Sequence, residues 1–240
     1  MFQIFYDTMI ANMRWKLVFY GLGTTLLIAI CAVLIGSVLG CTFALFKISK
    51  NKVLQKISEI YTTVIRGIPM ATQLMIFYFV IFSPIGISNA VLVAIIAFGI
   101  NSGAYCTEIF RAGIQSIPQG QYEAASSLGM NRFQTMMFII IPQTIRWVIP
   151  PLTSDFITSY KDTSLLSSVG VMELMMFAKN LTTSTGNMTP YMTAALFYLA
   201  ITLPLIKVVG SIEKRMEQSE TGKTVSASAS KTQALSKEEN

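Results

Sequence analysis

The stretch Ser116-Ile117-Pro118-Gln119-Gly120-Gln121-Tyr122-Glu123-Ala124-Ala125-Ser126-Ser127-Leu128-Gly129 is a polar island between two strongly apolar regions of a 240-residue chain. Ser116 can cap a helix with Gln119 as its reciprocal partner, Pro118 suits a first helical turn, and Gly129 stands where a helix-ending glycine is expected. The pattern predicts a helix of about three turns. Asn131 with Gln134 repeats the start signal, so a second helix leaves the glycine elbow and climbs back into apolar sequence.

Working outward, 52% of residues are hydrophobic and only 12% charged, against roughly 25% charged in an ordinary soluble domain. The expected class is an all-α integral membrane protein. The net charge of +6 sits at the ends of apolar runs, where orientation signals belong, and argues for no nucleic-acid partner. The sequence contains no histidine, and Cys31, Cys41 and Cys106 are widely spaced inside apolar runs. Serine–histidine and cysteine–histidine triads are excluded, no metal-ligand spacing is present, and the cysteines read as packing residues. No phosphate-cradling G-x4-G-K-[S/T] run occurs, and no cleavable leader is expected before the first span.

Residues 1–16 mix apolar and charged positions as an amphipathic surface helix would, or as a frayed leader would. Residues 17–46 carry no charge and outrun the ~20 residues needed to cross a bilayer. Gly36 and Gly40 make a G-x-x-x-G step on this span that suits close helix packing. Lys47, Lys50, Lys52 and Lys56 follow at once, and four lysines in a short loop place it in the cytoplasm, outweighing Arg14 and Lys16 at the other end. Further spans are expected over 57–82 and 89–110, joined by an external turn at Pro84, Gly86, Ser88 and Asn89. A kinked span over 139–166 contains Pro142, Pro150 and Pro151, and a fifth occupies 190–209. The N-terminus is then outside and the C-terminus inside. The membrane region covers 17–210, with its loop at 116–142, and 211–240, rich in Ser, Thr, Lys and Glu, is expected to be a disordered cytoplasmic tail.

Glu123-Ala124-Ala125, three residues, Gly129, nine residues and Ile139-Ile140-Ile141-Pro142 resemble the EAA loop of ABC-importer permeases. Ile141 stands where that family more often has Leu. Arg66-Gly67-Ile68-Pro69 with Gln73-Leu74, Glu108 to Pro118 and Lys161-Asp162-Thr163-Ser164-Leu165 are similar to the polar amino-acid branch, the type carrying histidine, glutamate, glutamine or arginine. The resemblance covers roughly residues 21–210. It implies the type I ABC-importer permease fold, about five transmembrane helices with a cytoplasmic coupling helix, in the bacterial inner membrane. It also implies partners: two ABC ATPase subunits holding the ATP and Mg, a second permease that is identical or homologous, an extracytoplasmic solute-binding protein, an amino-acid substrate and the surrounding lipid. The chain itself is expected to bind no cofactor and to be a transport subunit, not an enzyme.

On local grounds alone Glu123 reads as a solvated charge; the resemblance implies instead that Gln121, Tyr122, Glu123, Ala124, Ala125 and Gly129 couple the membrane part to the ATPase. Charges within spans cost at least ~2.5 kcal/mol unless paired or wetted. For Arg66, Glu108 and Arg146, near cytoplasmic ends, mutual neutralisation is the expected reading, and Asp155 likewise requires an explanation. Lys161 and Asp162 have two readings, as a neutralising pair or, with Thr163, Ser164, Gln73 and Asn101, as the lining of a solute pathway at a broken helix. Thr72, Ser102 and Tyr105 are weaker pathway candidates, while Met136, Met137 and Phe138 read as lipid or bundle contacts. A secondary transporter or channel for small polar solutes is the alternative, in which the EAA loop would have no purpose. A membrane enzyme is a third class, disfavoured by the absence of histidine and of clustered ligands.

Overall fold

In the computed structural model, which describes residues 14–238, the described chain is helical throughout its ordered elements. The surface helix expected over 1–16 therefore lies outside the described residues except for its last three positions. The first helix, α1, runs Trp15–Ile48, about 50 Å long at 1.5 Å per residue, so it must tilt or protrude from a ~30 Å hydrocarbon layer. Asn51 then caps α2, Lys52–Gly67, by accepting from the Val53 N–H at 2.9 Å.

Pro69 stops that helix. Having no N–H and disfavouring helical geometry at the preceding residue, it leaves Ile68 extended at φ −104° and ψ 131°. The chain restarts as α3, Met70–Met75, continues as a π-helical stretch Ile76–Phe82 and a 3-10 turn Ser83–Ile85, and the two halves meet at 101°. The single span expected over 57–82 is thus a broken pair that begins at Lys52. Among the described residues four helices are long and apolar enough to cross a membrane, or five if this bent pair is one span.

Gly86, at φ +82°, turns the chain, and Asn89 caps α4, Ala90–Gln115, by accepting from Leu92 N–H. Helix α4 is the centre of the bundle. Its small buried residues Ala94, Ala97, Ser102 and Gly103 let α1 approach closely. A β-carbon at Gly36 would lie 2.4 Å from Ser102 Oγ, and one at Gly40 would lie 2.4 Å from Cys106 Cβ. The G-x-x-x-G step is therefore a packing face in this fold.

The loop helix α5 spans Gln119–Ser127. After it come α6, Arg132–Thr135, a π-helical turn Met136–Ile140, and α7, Ile141–Asp162, followed by a 3-10 stretch Thr163–Val169. The fourth span consequently starts at Arg132 instead of 139. Pro142 sits just past the π turn and Pro150 and Pro151 lie inside α7, where each missing N–H loosens the helix. Helix α8, Leu174–Thr185, is capped by Glu173, and α9 extends Thr189–Glu238. The tail expected to be disordered over 211–240 is instead a continuation of α9 to Glu238. Its residues cannot nucleate a fold alone, but a helix already nucleated by a membrane span propagates at one hydrogen bond per added residue.

Two apolar clusters hold the bundle. Ile28, Leu74, Phe98 and Leu166 join α1, α3, α4 and the 3-10 stretch, while Val18, Leu174, Phe177 and Ala194 join α1, α8 and α9. Fully burying such a side chain contributes roughly 1.5–3 kcal/mol where water is the reference. Within lipid the same contacts act through close packing instead.

Candidate functional site

The break at Pro69 opens beside a cavity of about 530 Å³, lined by Arg66 and Met70 from the broken helix, Asn101 and Tyr105 from α4, and Ser154, Asp155, Thr158 and Asp162 from α7. That volume is within the ~300–1,000 Å³ usual for small-molecule sites. Its charges are not neutralised by one another. Arg66 makes no ion pair among the described residues, and its guanidinium lies 5.1 Å from the Tyr105 ring centroid. Asp155 accepts from Ser102 Oγ at 2.6 Å and from the Cys106 thiol at 3.8 Å. The half-buried Asp162 receives no side-chain or backbone donor among the described residues.

Gln73 lies off the cavity lining. It is 2% exposed, and its Nε2 donates to the carbonyls of Ile65 at 2.6 Å and Ile68 at 2.7 Å. These carbonyls lost their helical partners at the Pro69 break, so the side chain staples the two half-helices. Asn101 Nδ2 donates to Gln73 Oε1 at 3.3 Å and so links the staple to the cavity wall.

Thr163 is also buried and donates to Tyr160 O at 2.7 Å. Lys161 is exposed, outside the cavity lining and without an ion pair to Asp162. Adjacent helical residues point about 100° apart, so the two cannot share a face. Ser164 is half-buried and off the lining. Of the six expected pathway residues the structure brings Asn101 and Asp162 together, and it adds Arg66 and Asp155, whose signal was a charge placed at membrane depth beside a proline break or a kinked helix.

Neutralisation does occur at Glu108. This α4 carboxylate pairs with Lys47 at the end of α1 and with Arg111 Nε at 2.8 Å, and Lys47 also reaches Thr62 Oγ1 at 3.2 Å. Three helices are thus tied at one end. Arg146 is exposed and has no ion-pair partner among the described residues.

The loop is built by local bonds. Ser116 does not cap α5; its hydroxyl donates backward to Gly113 O at 2.8 Å, and Pro118 occupies the cap. The hydroxyl reaches the end of the helix before it sooner than the start of the one after it, because the chain remains near-helical at Ser116. At the other end, Gly129 at φ +76° donates to Ser126 O, and Met130 donates to Ala125 O at 3.1 Å, a Schellman stop. Asn131 and Gln134 form the reciprocal capping box.

Gln121, Glu123, Ala124 and Gly129 are exposed, whereas Ala125 is buried and does not share the outward face. Half-buried Tyr122 lines a hollow of about 290 Å³ with Met130, Arg132 and Met136, and burial raises its phenol above the ordinary value. Gln143 Nε2 reaches Gln121 Oε1 at 3.4 Å, tying α5 to α7. Leu128 and Phe133 are 82% and 72% exposed. Apolar side chains this bare on a polar loop mark a contact surface, and the hydrophobic count alone had not separated them from lipid-facing residues.

Residues 32–218 match the family model described as "Binding-protein-dependent transport system inner membrane component". The chain belongs to that family. It is 38% identical over 205 residues to a putative glutamine transport system permease protein of Rickettsia bellii (strain RML369-C), covering 84% of this chain and 94% of that one. A probable amino-acid ABC transporter permease protein of Bacillus subtilis (strain 168) is 39% identical over 201 residues, covering 83% and 88%. Among solved structures, an amino acid ABC transporter crystallised with histidines superposes with a TM-score of 0.79 at 35% identity, covering 85% of this chain and 96% of that one. The inward-facing MetNI methionine ABC transporter has the same fold at 17% identity, with a TM-score of 0.73 and coverage of 85% and 99%.

This permease is a transport component of the inner membrane and not an enzyme. The EAA motif of Glu123, Ala124, Ala125 and Gly129 belongs to the family. The two helices that flank it, α4 and α6–α7, are also the helices that supply most of the cavity lining.

Proposed function

We propose that this permease carries a polar amino acid into the cytoplasm through the cavity beside Pro69, driven by two ATPase chains that seat on α5. One observation carries the reading: the loop at 116–131 lies between α4 and α7, so displacing α5 moves both walls that present Asn101, Tyr105, Asp155 and Asp162. Rocking those walls past the α1–α3 frame would open the cavity to each side in turn. Five spans are too few to enclose a gated path, so a second permease, identical or homologous, completes it. An extracytoplasmic solute-binding protein delivers the substrate, and ATP and Mg reside on the ATPases.

The chemistry of the lining supports an amino acid. Arg66 can take a carboxylate, an aspartate can take an ammonium group, and Asn101 with the Ser154 and Thr158 hydroxyls can meet a polar side chain. The orientation has its N-terminus outside and the lysines at 47–56 in the cytoplasm.

The test is uptake of labelled amino acids into proteoliposomes containing the permease with its co-purified ATPase and binding protein. Asp162→Asn should assemble and lose uptake while Lys161→Met retains it; equal behaviour of the two would remove Asp162 from the path. A cysteine at Lys52 should react with an impermeant thiol reagent only in inverted vesicles, and one at Asn89 only from outside.

A further inference from the structure

The cavity holds one guanidinium and two carboxylates, and no two of them pair among the described residues. Lys161, the nearest other cation in sequence, is exposed and off the lining. The lining therefore carries a net charge of −1 and is one positive charge short of neutral, where an unpaired charge within a span costs ~2.5 kcal/mol or more. Arg66 is held over Tyr105, leaving its planar donors for an incoming carboxylate. Asp155 is oriented through one oxygen, Oδ2, by Ser102 and Cys106, and no donor among the described residues meets its other oxygen. Neither oxygen of Asp162 has an ion-pair partner among the described residues.

Resting on the transport reading above, we infer that the cavity selects a basic amino acid, with a cationic side chain, over a neutral amide such as glutamine. Arg66 takes the α-carboxylate, one aspartate takes the α-ammonium, and the second takes the side-chain cation. All three lining charges are then compensated. A neutral amino acid would leave one carboxylate desolvated and unmatched, and an acidic one would place a third carboxylate beside it. Sites that reject a ligand by stranding a polar group discriminate more strongly than sites that merely fit its shape.

The experiment is direct binding to the detergent-purified permease–ATPase complex without binding protein, by calorimetry, with L-arginine, L-lysine, L-glutamine and L-glutamate as probes. L-Arginine and L-lysine should bind at least tenfold more tightly than L-glutamine, and L-glutamate most weakly. Of Asp155→Asn and Asp162→Asn, one should lower the arginine-to-glutamine affinity ratio tenfold or more, and the other should weaken both amino acids together. Arg66→Gln should weaken every probe. Glutamine binding as tight as arginine, still lost in Arg66→Gln, overturns the basic selectivity while leaving the transport site in place. Binding that none of the three variants affects overturns both.

Discussion

The EAA loop and the membrane interior are organised in opposite ways. In the loop every cap and stop bond joins residues three to five apart, and the unsatisfied surface is apolar, Leu128 and Phe133 standing bare in a polar setting. In the interior the deciding bonds span long stretches of chain, 28 residues from Asn101 to Gln73 and 53 from Ser102 to Asp155, and the unsatisfied groups are charges in an apolar setting. Each region exposes what its surroundings penalise. Under the proposed function, grease at the aqueous end and charge among the spans both persist because a partner covers them in the working assembly, a protein for the loop and a solute for the cavity.

The largest effect should come from the interior. Gly36→Leu drives a side chain into Ser102 and the Gly103 backbone, separating α1 from α4, so folded permease should not accumulate in membranes by quantitative immunoblotting. Gly23→Leu on the same helix meets nothing within 4 Å and should accumulate normally. If the two glycines respond alike, the close crossing does not organise the interior.

The loop should respond in function before stability. Gly129→Val asks a β-branched residue to hold φ +76°, a strained conformation costing of order 1–3 kcal/mol, although the space around it is open. Insertion should be normal and ATP-driven uptake should fall tenfold or more. Normal uptake would show that the Schellman stop is dispensable for coupling.

Glu173 sharpens the interior side through pH. It is fully buried, accepts from the Met175 and Met176 N–H groups and from Tyr198 OH at 3.0 Å, and burial pushes its carboxyl up to about 7. The folded state therefore holds its proton where the unfolded chain, near 4.5, has released it. The group's stabilising effect is complete below about pH 4.5 and is lost as pH rises towards 7, a change of up to about 3 kcal/mol. Thermal denaturation of the purified permease from pH 4.5 to 8 should show that fall, and Glu173→Gln should flatten it. A wild-type curve that rises over this interval would contradict the burial argument.

The smallest effect belongs to the loop again. Asn131→Ala removes the side-chain half of the capping box, the acceptor of the Gln134 N–H, and leaves the backbone N–H of residue 131 on Gln134 Oε1; it should destabilise by about 1 kcal/mol, read as a small increase in amide exchange confined to α6. A loss of global stability would mean that the loop is not as self-contained as its bonds indicate.

Legibility followed the range of these bonds. The Asn131 box and the Gly129 stop could be read directly, because all their donors and acceptors lie within a few residues. The Ser116 cap could not, because two helix ends compete for one hydroxyl and only the backbone geometry decides which it meets. Gln73 was singled out as a polar residue at membrane depth, yet its role as a staple depends on a 101° bend at Pro69 that no local pattern measures. Lys161 and Asp162 looked like a pair because they are adjacent, and helical rotation separates them.

The sequence by itself determined the membrane class, the five-span count with the bent pair taken as one, and the start and stop of the helices about the elbow at Gly129. These rest on composition, run length and capping chemistry, which act over one to five helical turns. Only the tertiary structure decided that Gly36 and Gly40 seat on Ser102 and Cys106, that Gln73 is spent on the break, and that Arg66, Asn101, Asp155 and Asp162 share one cavity. The physical reason is that helix packing brings together in this cavity residues up to 96 positions apart, Arg66 and Asp162 at the extremes. Which charges stay unpaired depends on that meeting and not on any residue's neighbours along the chain.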